Sequence, residues 1–181
     1  MTQRYSFSLR LMHWLSAALI IGLLILGFWM TSRSDADLWD ELTNTLYAWH
    51  KFIGFLVLMI TGVRLLTKSI SKRPPYPEDF SPIQILLAKS VQSSLYLLLF
   101  LAPLFGWAGV TAYPALITIG DYYLPGMPGI PKDEALAKQL FEIHGYLVFV
   151  LIGITLGHIT VGLGHLWLKK DEIFERIWFR R

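Results

Sequence analysis

The chain has 181 residues, 54% of them hydrophobic, a mean hydropathy of +0.49 and a formal net charge of +3. A composition this apolar excludes an ordinary soluble domain of the same size. Cysteine is absent, which excludes disulfides, thiolate metal sites and cysteine-bound iron–sulfur clusters. The basic residues lie beside apolar runs rather than in a stripe, which excludes a nucleic-acid partner. Seven Trp and eight Tyr suit the aromatic belts at membrane surfaces.

A short polar lead, residues 1–8, offers Ser6 or Ser8 as a helix cap. The first apolar run is Leu9–Met30, long enough to span a bilayer, with Arg10 and His13 in its first turns. It is too long for the apolar core of a cleavable signal, and no small-residue cleavage site follows it. An acidic segment, 31–45, comes next, and Asp37–Asn44 within it is expected to form a short surface helix. The second run, 46–66, has His50 in its first turn and Arg64 in its last. Prolines 74, 75, 77 and 82 then mark a connecting loop.

The third run covers 83–117. Its first two turns are expected at the membrane surface, its spanning part from about Val91 to 113, and a kink near Pro103, Gly106 and Gly109. Residues 118–138, with PGMPGIP at 125–131, read as a surface loop. The fourth run, 140–168, spans again. The tail KKDEIFERIWFRR is expected to lie as a helix on the membrane surface. The expected fold is therefore an all-α, four-helix membrane bundle in one domain, 1–181, with spans near 9–30, 46–66, 91–113 and 140–168.

With four spans, Lys and Arg divide unequally. Arg4, Arg10, Arg64, Lys68, Lys72, Arg73, Lys89, Lys169, Lys170, Arg176, Arg180 and Arg181 fall on the side of the termini, twelve in all. Arg33, Lys51, Lys132 and Lys138, four, fall on the other. Positive charge stays in the cytoplasm, so both termini are expected there.

Three of the five histidines lie in the fourth run: His144, His158 and His165. At about 100° per residue, separations of fourteen and seven leave all three on one helix face. His144 and His158 stand about 21 Å apart along the axis, most of the hydrocarbon thickness. An imidazole in lipid needs a partner inside the bundle. Following the chain through its spans puts His50 at the outer level with His144, and His13 at the inner level with His158. Two imidazoles at each level suit axial ligation of two haems, one near each membrane surface. Hydrogen bonding to neighbouring helices is the blander alternative. A zinc or copper site needs ligands that converge within a few ångströms, against which fourteen-residue spacing argues.

His165 is left over, about 10 Å further toward the cytoplasm. It is either a proton-accepting group beside a quinone, an interfacial histidine, or a rival to His158 as ligand. Arg10, Lys51 and Arg64 are candidate partners for haem propionates, with snorkelling at helix ends as the alternative.

The segments RLMHWLSA at 10–17, HKFIG at 50–54, VRLL at 63–66, SLYLLLFLAPLFGW at 94–107, EIHGYL at 142–147 and GHITVGLGH at 157–165 carry a family resemblance. Over nearly its whole length the chain resembles the bacterial cytochrome b561 family, four-helix dihaem proteins related to the cytochrome b subunits of nickel–iron hydrogenases. The resemblance implies two b-type haems with bis-histidine ligation by His13, His50, His144 and His158. It further implies an inner-membrane place in a respiratory chain, exchanging electrons with ubiquinone. Some members resemble superoxide:ubiquinone oxidoreductases fed from the periplasm, in which case His165 would resemble part of the quinone site. The chain departs from several relatives at Gln92, where they carry a histidine. Its acidic 31–45 segment also suits an anionic donor poorly, though Lys51, Lys132 and Lys138 offset it locally. Two other functions stay open: a membrane anchor for a soluble redox partner, and a transporter of metal ions or protons built on histidines.

Overall fold

In the computed structural model the described residues are 3–72, 74–115, 117–119 and 122–179, without the side chains of Ile119 and Tyr122. Arg73, Arg180 and Arg181 of the basic face lie outside them. Four long helices, each apolar enough to cross a membrane, dominate: α1 (Phe7–Asp35), α2 (Glu41–Ile70), α3 (Pro82–Ala112) and α4 (Glu134–Gly164). α1 packs on α2, α2 on α3, and α3 on α4.

Loop residues close the open donors at every helix start. Ser6 caps α1 through the Leu9 N–H at 3.4 Å. Asp40 caps α2 through the Thr43 N–H at 2.9 Å, and Asp133 caps α4 through the Leu136 N–H at 3.0 Å. At α3, Pro82 follows a reciprocal box in which Ser81 accepts from the Gln84 N–H and the Gln84 side chain accepts from the Ser81 N–H. These caps extend the helices beyond the apolar runs.

They also change several local expectations. Asp37–Asn44 forms no separate surface helix. Asp40 is extended backbone and starts α2 instead, and Arg33 donates to both its carboxylate and the Thr43 hydroxyl, tying the end of α1 to the start of α2. α3 is one continuous helix from Pro82, through the turns expected at the membrane surface and the spanning part from Val91, and past Pro103, whose ring nitrogen has no N–H to give to the helix. The 118–138 loop contains a two-residue antiparallel ladder, Thr118–Ile119 with Tyr122–Tyr123. The tail is no regular helix: a π-turn (His165–Lys169) and one 3-10 turn (Phe174–Arg176) carry it back over the start of α1.

Many large apolar side chains point outward, among them Ile25, Leu66, Phe149 and Val161. In water that would be unfavourable; here it is the lipid-facing surface. The interior holds one apolar cluster, Val57, Leu98, Leu99 and Leu151, flanked by Leu19, Leu23, Ile53 and Ile154. Along α4, its Leu151 lies between His144 and His158. The apolar layer therefore separates two polar levels, called outer and inner after the orientation expected from the charges.

Candidate functional site

At the outer level, His50 of α2 and His144 of α4 face each other with ring centroids 6.2 Å apart and planes at 85°. At the inner level, His13 of α1 and His158 of α4 do the same, at 6.2 Å and 74°. The structure thus brings together the two pairs that chain direction and depth predict.

The spacing decides what each pair can hold. Two ring nitrogens on opposite sides of one metal, each about 2 Å from it, put the ring centroids about 6 Å apart. A direct imidazole–imidazole hydrogen bond would need them closer. Among the described residues, no group of three or more His, Asp or Glu converges on one point. Among the described residues, each set offers two imidazole nitrogens as metal donors. That fits a haem, whose porphyrin fills the remaining four positions, better than a bare ion, which would need more protein ligands.

The outer rings are seated by glycines on neighbouring helices. His144 Nδ1 donates to the Ala102 carbonyl at 2.7 Å. That bond fixes the tautomer and leaves Nε2 free for a metal. One turn on, Gly106 clears the space: a Cβ there would sit 3.2 Å from His144 Nδ1. His50 lies against α1 in the same manner. Its neighbour is the Leu23 backbone, and a Cβ on Gly27, again one turn on, would sit 3.3 Å from its Cε1. The contact is looser, for the buried His50 Nδ1 falls short of hydrogen-bond geometry. Each outer imidazole therefore approaches a carbonyl laid bare by a glycine four residues later.

The inner level is arranged differently. Arg64 reaches His13 Nδ1 at 3.0 Å, and its guanidinium also lies 5.2 Å from the Tyr96 ring. A guanidinium only donates, so this bond makes Nδ1 the acceptor. Among the described residues, Arg64 Nε is buried without a hydrogen-bond partner, and no carboxylate pairs with its guanidinium. Arg10 donates to the Trp178 carbonyl at 2.9 Å, and Lys51 to the Ala115 carbonyl at 3.0 Å. Arg10 thus ties α1 to the C-terminal tail, and Lys51 ties α2 to the segment that follows α3, at the opposite end of the bundle.

His165 is separate from these pairs. Its Nδ1 meets Asp171 Oδ2 at 2.6 Å, and Phe80 stacks on the ring at 6.0 Å. It is thus occupied away from His13, whose ring is opposed by His158. Sequence reasoning missed Asp171 and Phe80, as well as the seating role of Gly27 and Gly106. Asp171 was hidden in a tail that reads as basic, and no periodicity pairs a glycine with a histidine on another helix.

The family model described as prokaryotic cytochrome b561 matches residues 4–180. The chain is also similar to cytochrome b561 homolog 2 of Escherichia coli (strain K12), at 30% identity over 176 residues, covering 97% of this chain and 91% of that protein. Four membrane-crossing helices, two facing imidazole pairs and these matches lead to one conclusion: the chain belongs to the prokaryotic cytochrome b561 family, b-type haem proteins of the bacterial inner membrane that carry electrons.

Proposed function

We propose that this chain, acting as one domain over residues 1–181, carries electrons across the membrane through two b-type haems and exchanges them with ubiquinone near the cytoplasmic face. The observation that carries the reading is the pair of imidazole couples, each at 6.2 Å, one on either side of the apolar layer. His50 and His144 hold the outer haem, and His13 and His158 the inner. Bound there, the haems would supply reversible one-electron chemistry.

The protein's own residues do the rest. The Ala102 carbonyl orients His144. Were His13 to hold the haem through Nε2, its proton would sit on Nδ1, and Arg64 would be free to pair with a propionate carboxylate. Arg10, at the same level, and Lys51, at the outer level, are the further cations within their levels' reach. His165 serves the quinone. The positive-inside distribution supports a cytoplasmic side for both termini.

The outer donor is a periplasmic redox partner or a small reductant. Superoxide is the narrower form of this reading, making the chain a superoxide:ubiquinone oxidoreductase. Lys132 and Lys138 are the outer-side cations that would draw the anion in, since Arg33 is already paired with Asp40. An anchoring role beside a soluble redox partner is compatible with the same haems; transport by histidine-bound ions is not.

Paired substitution tests the scheme. His50→Ala and His144→Ala should each remove the same haem, and His13→Ala and His158→Ala the other, judged by redox titration of the remaining α-band. Depletion of one common haem by His144→Ala and His158→Ala would refute the pairing.

A further inference from the structure

The cytoplasmic end of α4 is built around a pair of residues that haem binding does not use. At His165 the helix widens into a π-turn, which Lys170 closes in the left-handed conformation at φ 52°. The N–H groups of Lys170 and Asp171 both return to the His165 carbonyl. In a continued α-helix Asp171 would lie about 240° around the axis and about 9 Å along it from His165. The π-turn instead folds Asp171 back onto the ring. Its Oδ2 lies 2.6 Å from His165 Nδ1, and its Oδ1 accepts from the Ile173 N–H at 3.0 Å. The imidazole is only 8% exposed and is covered by Phe80 from the proline-rich loop. Phe80 and Asp171 also line a cavity of about 180 Å³ with Asp79, Glu172 and Arg176. A π-turn interrupting a helix end frequently marks a functional site.

We infer that Asp171 is a positioning residue, which orients His165 to pass a proton from Nε2 to a quinone oxygen. This rests on the quinone reading above. Asp171 keeps one proton on Nδ1, so Nε2 is the atom that gains and loses the other. In quinone reduction the Nε2–H bond breaks and an O–H bond forms on one quinone oxygen. Haem held by the histidine pairs would supply the two electrons singly, and the second oxygen would take its proton from water. Neutral His165 then regains its Nε2 proton from water; its partner Asp171 and its cover Phe80 line the neighbouring cavity, whose other charged groups are Asp79, Glu172 and Arg176. Phe80 limits that exchange to one side of the ring.

The test uses the purified full-length holoprotein with ubiquinone-1. Haem reoxidation is followed by stopped flow, and ubiquinone-1 binding by equilibrium titration. Asp171→Asn should slow reoxidation at saturating ubiquinone-1 about tenfold or more, with haem content intact and Kd moved less than about threefold. Asp171→Glu should recover most of the rate. His165→Gln should slow it at least as much, and the double variant should be no slower than His165→Gln, because the two residues act as one unit. A second readout is independent of turnover: nitrogen-15 NMR of histidine-labelled protein, at a pH where the ring is neutral, should show the His165 form left after proton donation as the Nδ1–H tautomer, lost in Asp171→Asn. Wild-type rate in Asp171→Asn, additive single effects, or an Nε2–H tautomer in the wild type would each overturn the inference. Failure of wild-type protein to bind ubiquinone-1 at all would instead overturn the quinone reading. If Asp171→Asn does not fold, the wild-type tautomer and Asp171→Glu decide alone.

Discussion

Adding one methyl group at Gly106 should loosen the outer haem and spare the inner. The Cβ of Gly106→Ala would stand 3.2 Å from His144 Nδ1, 3.4 Å from Cε1 and 3.9 Å from Cγ. Carbon atoms rest about 3.5–4.0 Å from such neighbours, so the ring must yield by a few tenths of an ångström. The same methyl crowds the 2.7 Å bond from Nδ1 to the Ala102 carbonyl. Losing a neutral hydrogen bond costs about 0.5–1.5 kcal/mol, and losing the group that orients a metal-bound histidine costs roughly 10- to 100-fold in metal affinity. We expect about tenfold weaker outer-haem retention, measured as faster haem transfer to excess apomyoglobin. Gly27→Ala, at 3.3 Å from His50 Cε1, should act on the same haem but less, because His50 has no well-formed bond to lose. Gly22→Ala, whose methyl meets nothing within 4 Å, is the control and should retain both haems. If Gly106→Ala and Gly22→Ala release haem alike, His144 is not seated as described and the outer site must be redrawn.

Other consequences follow from the same geometry. Arg64→Gln should lower the inner haem's midpoint potential by on the order of 50 mV, because removing a nearby cation disfavours the reduced state; potentiometric titration showing no shift would remove Arg64 from the inner site. The Asp40 carboxyl is held down at about 2 by the Thr43 backbone N–H and then by Arg33. Its stabilising share is therefore complete above about pH 4 and lost as pH falls toward 2. Asp40→Asn should accordingly flatten the fall in thermal midpoint between those values, and a curve identical to wild type would show that the α1–α2 tie carries no such linkage. Reporter fusions at the C-terminus should be active only with a cytoplasmic reporter; activity of a periplasmic one would reverse the assignment of inner and outer sites.

The large features were legible because lipid enforces them. Each span must satisfy its own backbone, so four apolar runs could only be helices, and an intramembrane histidine must face inward. Chain direction then fixed the depth of His13, His50, His144 and His158 without any knowledge of packing. What stayed hidden depends on which helices are neighbours. The Ala102 carbonyl and Gly106 seat His144 across the α3–α4 contact, and no pattern within either helix announces that pairing. Arg64 was visible as an inner-level cation, but its bond to His13 Nδ1 was not. The tail misled for a physical reason: its charges and aromatics suit a surface helix, while the π-turn at His165 and the Arg10 and Trp14 bonds to the Trp178 and Ile177 carbonyls fold it onto α1 instead. Of the caps, Ser6 was legible; Ser81 and Asp133 also stand just before their helices, while Asp40 falls inside the surface helix expected over Asp37–Asn44 and caps α2 instead.

The most direct measurement is a pyridine haemochrome count on the purified protein, with its reduced-minus-oxidised spectrum. Two b haems per chain, both low-spin, are what two imidazole pairs at 6.2 Å predict. One haem per folded chain would contradict the transmembrane path through paired histidines.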